Sequence, residues 1–229
     1  MGSLYLNEKG IVFEVTQRLE GIYNRECDLI GFEMLSSVKV HNYEKFNSEV
    51  FFDLISKGNA LLIIQLQIKK IKEIREKQMG VIGFITINVN ELMLEILNAN
   101  TFLLRELSDV SDFAIIEVSE KVDADKYSNH LENISKKCRI WLDDFGCGFF
   151  SNKINNLSLF ECIKFDRYLI NTFLNIPKGQ EMLMTLTDDF HKKNIKVIAE
   201  GVESSDYLSV LLHCGFDAFQ GWYWNSSEC

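Results

Sequence analysis

The chain has 229 residues, 47% of them hydrophobic, and a formal net charge of −9. That length suits one barrel-sized domain with a sizeable core. The acidic balance argues against DNA and membrane-surface binding, but leaves room for an anionic ligand held through metal ions. No apolar run reaches the roughly 18 residues that span a bilayer. The N-terminus lacks a secretory pattern, and the lone Pro177 leaves no proline-rich linker. The six cysteines (27, 138, 147, 162, 214 and 229) show no CxxC spacing and read as reduced core thiols. A single cytoplasmic domain over 1–229 is expected.

The pattern predicts strand-like stretches at 11–19 and 29–35. A long helical region over about 44–77 follows, where Phe51, Leu54, Ile55, Leu61, Ile64, Ile68 and Ile71 recur at helical spacing. Strand and helix then alternate. Strand 81–89 precedes helix 91–107, strand 113–118 precedes helix 124–137, and strand 139–143 precedes a short helix. Strand 160–165 precedes helix 167–193, strand 195–199 precedes helix 205–214, and strand 216–219 ends the series. Eight strands separated, from the second onward, by helices define an α/β fold. They favour a closed (β/α)8 TIM-like barrel over an open sheet, for which no GxGxxG turn is present.

Seven of these segments end on a polar tip: IGFEML on Glu33, ITINVN on Asn88, IIEVSE on Glu117, IWLDDFG on Asp143 and Asp144, CIKFD on Lys164, VIAEGVE on Glu200 and FDAFQG on Gln220. In a closed parallel barrel all such ends meet on one face. Alternation along a strand puts Glu117 on the face of Ile115, and Lys164 on that of Cys162. Asp143 and Asp144 can share the site only if the chain turns there, which Gly146 and Gly148 permit. Carboxylates so gathered repel by about 4 kcal/mol per close pair at an effective dielectric of about 20. The cluster therefore needs cations. Its hard oxygen donors suit Mg2+ or Mn2+, and the histidines fall away from the strand ends. Two such ions can activate a water and steady both oxygens of an in-line phosphoryl displacement, with Lys164 orienting the water or the phosphate. Without a phosphate loop or a Ser-His-Asp order, this constellation points to phosphodiester hydrolysis.

GFEML, INVN, EVSE, DDFGCG, KFD, AEGVE and QGW, in this order, resemble the EAL-domain phosphodiesterases of bacterial cyclic-di-GMP signalling. The resemblance implies a barrel whose first strand runs antiparallel, and metal-dependent hydrolysis of cyclic-di-GMP to linear pGpG, with motility, fimbriae or biofilm under its control. It implies Glu33, Asn88, Glu117, Asp143, Asp144 and Glu200 as metal ligands, with Glu33, Lys164 and Glu200 catalytic. It further implies Gln17, Leu35, Asp166, Glu203 and Gln220 as substrate contacts, Glu120 as the anchor of the loop after the fifth barrel strand, and a homodimer. The alternative reading is an EAL module that acts as a cyclic-di-GMP receptor or through a regulatory protein partner.

This chain departs from that family in several places. Ser37 stands where many members have a phosphate-binding arginine, a contact worth about 1.5–3 kcal/mol. Arg18 stands where proline is usual, and offers a substitute cation. The loop after Asp144 reads CGFFSNKINN, and the chain stops at NSSEC where members continue into a closing helix. Phe149 and Trp222 are candidate base-stacking aromatics.

Overall fold

The computed structural model describes residues 3–40, 45–78, 81–147 and 157–225. Ten strands form one sheet: β1 (Leu4–Glu8), β2 (Ile11–Asn24), β3 (Leu29–Val40), β4 (Lys45–Phe46), β5 (Phe84–Val89), β6 (Ala114–Ser119), β7 (Arg139–Phe145), β8 (Cys162–Phe165), β9 (Lys196–Ala199) and β10 (Ala218–Gln220). Their order is β1-β2-β10-β9-β8-β7-β6-β5-β3-β4, and an added β2–β3 pairing closes the eight central strands into a barrel. β2 runs antiparallel to both its barrel neighbours, β3 and β10, as the resemblance implies. The other barrel pairings are parallel.

Two apolar layers result from side-chain alternation along the strands. Ile22, Ile115, Trp141, Cys162, Ile198 and Ala218 fill the barrel interior, with the Phe84 ring edge-on to Trp141 at 4.9 Å. Gly31 lacks a side chain because the Phe84 ring takes that space: a Cβ there would lie 2.4 Å from it. The opposite strand faces pack against the helices in a larger core that includes Ile85, Ile87, Ile116, Leu142, Ile163 and Val197.

The helices are α1 (Ser48–Leu54), α2 (Lys57–Gln78), α3 (Glu91–Ala99), α4 (Thr101–Ser108), α5 (Ala124–Ser135), α6 (Arg167–Leu174), α7 (Gly179–His191) and α8 (Ser205–His213). Three predicted helices are therefore each broken in two. Ile55 takes extended backbone between α1 and α2, and the Ser56 N–H turns to the Glu8 carboxylate of β1. Asn100 caps α4 by accepting from Leu103 N while its own N–H still bonds Ile96, so helical periodicity runs through an actual break. Pro177, which removes a donor and disfavours helix at Ile176, lies in the turn between α6 and α7. The short helix expected after β7 falls partly outside the described residues; Leu157–Leu159 forms a single 3₁₀ turn.

β1 and β4 do not stand out as strands in the sequence pattern. They flank the parts of β2 and β3 that run on past the barrel, where Phe13–Arg18 pairs with Leu35–Val40. The result is a four-stranded antiparallel ribbon on the side of the barrel where β3 ends. No helix among the described residues is long and apolar enough to cross a membrane.

Candidate active site

Each barrel strand contributes one polar side chain to a ring at the end of the interior: Glu20, Glu33, Asn88, Glu117, Asp143, Lys164, Glu200 and Gln220. Each lies two residues from an inward-facing position on its own strand, as Glu117 follows Ile115, Asp143 follows Trp141, Lys164 follows Cys162 and Glu200 follows Ile198. The period of two thus lifts the functional groups one layer above the apolar plug.

Lys164 sits at the centre and is wholly buried. Its Nζ lies 2.7 Å from Glu200 Oε1, 3.0 Å from Glu33 Oε2, 3.1 Å from Asp143 Oδ1 and 3.4 Å from Glu117 Oε1. Asn88 Nδ2 donates to Glu33 Oε1 at 2.6 Å, and Gln220 Nε2 donates to Glu33 Oε2 at 2.7 Å and to Glu20 Oε1 at 3.3 Å. Asp144 takes the left-handed conformation at φ 58°, and Gly146 follows at φ 92°. This is the turn that both aspartates need. Ser119 Oγ then holds Asp144 Oδ2 at 3.1 Å.

Burial is the largest influence on these groups, and it acts against charge. It pushes Glu117 well above the carboxylate range, Asp143 to about 6 and Glu200 to about 8, with Lys164 pulling each partly back. Burial also opposes the Lys164 charge, but the surrounding carboxylates outweigh it and raise its pKa well above the ordinary lysine value. Glu33 is likewise desolvated. The Lys164 charge and the donors Gln220, Asn88 and Lys164 bring it down below its usual value.

Two acidic triads place their oxygens within 4.8 Å of one another: Glu33, Glu117 and Asp143, and Asp143, Asp144 and Glu200. Glu117 is completely buried, yet neither of its oxygens accepts a hydrogen bond from the described residues. A buried carboxylate short of donors is a place made for a cation. The donor set, all oxygen, fits a hard divalent ion such as Mg2+ or Mn2+.

Above the ring opens a cleft of about 780 Å³. Leu35, Asp166, Glu203 and Gln220 line it, as do five of the six residues named as metal ligands, Glu117 lying beneath. Gln17 does not; it lies behind Ser36, whose Oγ donates to Gln17 Oε1 at 3.0 Å. Asp166 caps α6 through Tyr168 N, and Glu203 is gripped by both arms of Arg167. Glu120 Oε2 accepts from Gly146 N at 2.6 Å, tying down the turn after β7. Trp222 reaches the cleft with 70% of its surface exposed, whereas Phe149 and Gly148 lie outside the described residues. Arg18 lies in an ion pair with Glu20 at 2.9 Å.

Sequence reasoning missed Glu20 and misplaced two thiols, Cys27, which is exposed, and Cys147. Glu20 belongs to the one antiparallel barrel strand, so it lies upstream of its apolar partner Ile22, and a search of C-terminal strand tips passes over it. Cys147 is half-buried at the site rather than in the core. Its thiol is grouped with Asp144 and Asp166 and pushed up to about 12 by burial and by those two charges.

The site thus defines a barrel protein with a buried carboxylate cluster whose donors fit a divalent ion. The EAL domain family model matches residues 14–227, and the chain belongs to that family. Among curated relatives it is 25% identical over 211 residues to the cyclic di-GMP phosphodiesterase PdeA of Borreliella burgdorferi, covering 86% of this chain and 31% of that protein. The chain spans less than a third of the length of the first curated relatives it matches. In fold it is similar to the EAL-like domain protein YdiV, with a TM-score of 0.82 at 15% identity over 91% of this chain and 90% of that one. It is also similar to Klebsiella pneumoniae BlrP1, solved as a manganese and cyclic-di-GMP complex, with a TM-score of 0.73 at 19% identity over 96% of this chain and 57% of that one.

Proposed function

We propose that the protein is a metal-dependent phosphodiesterase that opens cyclic-di-GMP to linear pGpG. The observation that carries this reading is the ring: four carboxylates around one buried lysine, one of them without a hydrogen-bond donor, in a chain of the EAL family. Glu33, Asn88, Glu117 and Asp143 would hold one divalent ion, and Asp144 and Glu200 a second. When bound, the ions supply Lewis-acid stabilisation of the phosphoryl oxygens and lower the pKa of a coordinated water. Lys164 keeps its charge in a site without competing solvent and orients the anionic group that enters. Gln220 and Asn88 fix the Glu33 carboxylate from two sides. Glu120, by holding Gly146, keeps the Asp143–Asp144 turn in register.

The same geometry disfavours a receptor that binds without metal. Ten acids line the cleft against Lys121 and Arg167 as its cations among the described residues. A bisphosphate ligand would be repelled until divalent ions reverse the local field. Ser37 adds no charge to offset this, and the Arg18 cation is engaged by Glu20.

The test is chromatographic. Purified protein is incubated with cyclic-di-GMP and Mg2+ or Mn2+ beside Glu33→Ala. The wild type yields pGpG and the variant does not, and chelator abolishes both turnover and ligand binding. Folded wild type that makes no product with either ion would overturn the reading; binding that survives chelation would favour the receptor instead.

A further inference from the structure

The metal-bearing ring explains where a phosphate is cut but not which base is accepted, and the answer lies on the other arc of the rim. Counting round the barrel, β10 stands between β2 and β9, with β8 next. These strand ends carry two arginine–glutamate pairs, Arg18–Glu20 on β2 and Arg167–Glu203 beyond β8 and β9, with the exposed Trp222 between them. The Glu20 pair has no task in holding metal. Its carboxylate is in neither acidic triad, yet it faces the cleft directly opposite Glu33 in the β2–β3 register. Like charges placed so destabilise a sheet. Here Gln220 Nε2 bridges the two, and the Arg18 guanidinium neutralises the outer oxygen of Glu20. The same amide thus ties Glu20 to the ring from below, its own Oε1 being buried.

We infer that Arg18 and Glu20 form a base-specificity element that reads a guanine edge. This rests on the phosphodiesterase reading and names the part of the substrate that it leaves open. A guanine offers two adjacent N–H donors, N1 and the exocyclic N2, and two acceptors, O6 and N7. A carboxylate has lone pairs to spare after one arginine and one amide contact, and a guanidinium has five N–H donors. Side by side they match guanine at both edges. Adenine presents one exocyclic donor beside a ring acceptor, and a carboxylate can satisfy only the donor. Glu20 lines the cleft and is 16% exposed, and Arg18, 61% exposed, stands beside it opposite the cleft residue Leu35 in the β2–β3 register.

The experiment is titration calorimetry of the full chain with Ca2+, checking by chromatography that the ligand is recovered intact. Cyclic-di-GMP, cyclic-di-IMP (which lacks N2) and cyclic-di-AMP are compared on wild type, Glu20→Gln and Arg18→Leu. The wild type prefers the guanine ligand, with the inosine ligand intermediate. Glu20→Gln weakens the guanine ligand by about ten- to a hundredfold, the worth of a charge-assisted hydrogen bond, and leaves the adenine ligand where it was. Arg18→Leu weakens it less. Mn2+ affinity, measured on the same variants, stays unchanged. A guanine-to-adenine ratio untouched by Glu20→Gln overturns the inference, as does a fall in Mn2+ affinity with the ratio preserved, since Glu20 would then only brace Glu33. Wild type that binds no dinucleotide under any metal condition overturns the phosphodiesterase reading itself.

Discussion

The polar ring and the antiparallel ribbon are built from two of the same strands, β2 and β3, and behave as different materials. In the ring, the side chains gather round one lysine, and Lys164, Glu117 and Glu33 are almost completely removed from solvent. Past Glu20 and Glu33 the strands leave the barrel, and their partners become β1 and the two-residue β4. There Tyr5, Ile11 and Val12 are exposed on one face, while Leu6, Phe13, Val15 and Val38 on the other join the outer core with Phe51 and Ile55, and Glu8 adds polar ties to Ser56 and Asn59. Closure supplies the burial that makes charges interact strongly. The ribbon supplies a wall for the cleft, through Leu35 and Ser36, and buries apolar side chains there but no charge.

The largest effect that would separate the two regions is at Lys164. Replacing it by Met leaves buried carboxylates without their cation and costs about 3–5 kcal/mol, measured by urea unfolding in chelator. Mn2+ recovers much of that loss, and so does lowering the pH, because both neutralise the same oxygens. If the variant were as stable as wild type in chelator at neutral pH, the ring would not be the electrostatic unit described.

Next in size is Gly31. Gly31→Ala drives a methyl group into the Phe84 ring and costs about 1–3 kcal/mol as overpacking. Phe84→Leu relieves it in the double variant, which a double-mutant cycle reads directly. Additive losses would mean that the interior plug is looser than the 2.4 Å approach implies.

A pH effect follows from the raised groups. Asp143 near 6 and Glu200 near 8 hold protons in the folded protein that the unfolded chain has already released. Their stabilising contribution is complete at low pH, below the unfolded values, and is lost as pH rises through the folded ones. Metal-free protein therefore loses melting temperature as pH rises from about 4 to about 8. Metal binding near pH 7 expels protons, read as a dependence of the calorimetric enthalpy on buffer ionisation. Equal enthalpies in buffers of different ionisation heat would contradict this.

How much of this was legible in the sequence depended on strand direction. Parallel barrel strands end at the site, so Glu33, Asn88, Glu117, Asp143, Lys164, Glu200 and Gln220 could be found as polar tips on apolar runs, and the alternation of strand and helix gave the barrel. Glu20 could not be found that way, because its strand runs in the opposite sense. β1 escaped notice because LYLNE is short and half-exposed, and β4 because two residues carry no periodicity. The helix breaks at Ile55, Asn100 and Pro177 were hidden for a different reason. Apolar spacing persists across them, and only the caps reveal the interruption.

The smallest effect belongs to the ribbon. Glu8 Oε2 accepts from Ser56 N and from Asn59 Nδ2, and these contacts, the Ser56 backbone first, hold its carboxyl below the usual range. Glu8→Ala removes the tie between β1 and the start of α2 but touches no ring residue. Amide exchange in Leu4–Glu8 and at Ser56 accelerates, while exchange in β6 to β9 and the affinity for Mn2+ stay as they were. The reason is that an edge strand opens as a local unit, at a fraction of the free energy needed to open a closed barrel. Faster exchange spreading into β6 or β7 would show that ribbon and ring unfold together, and that the division between them is one of geometry and not of stability.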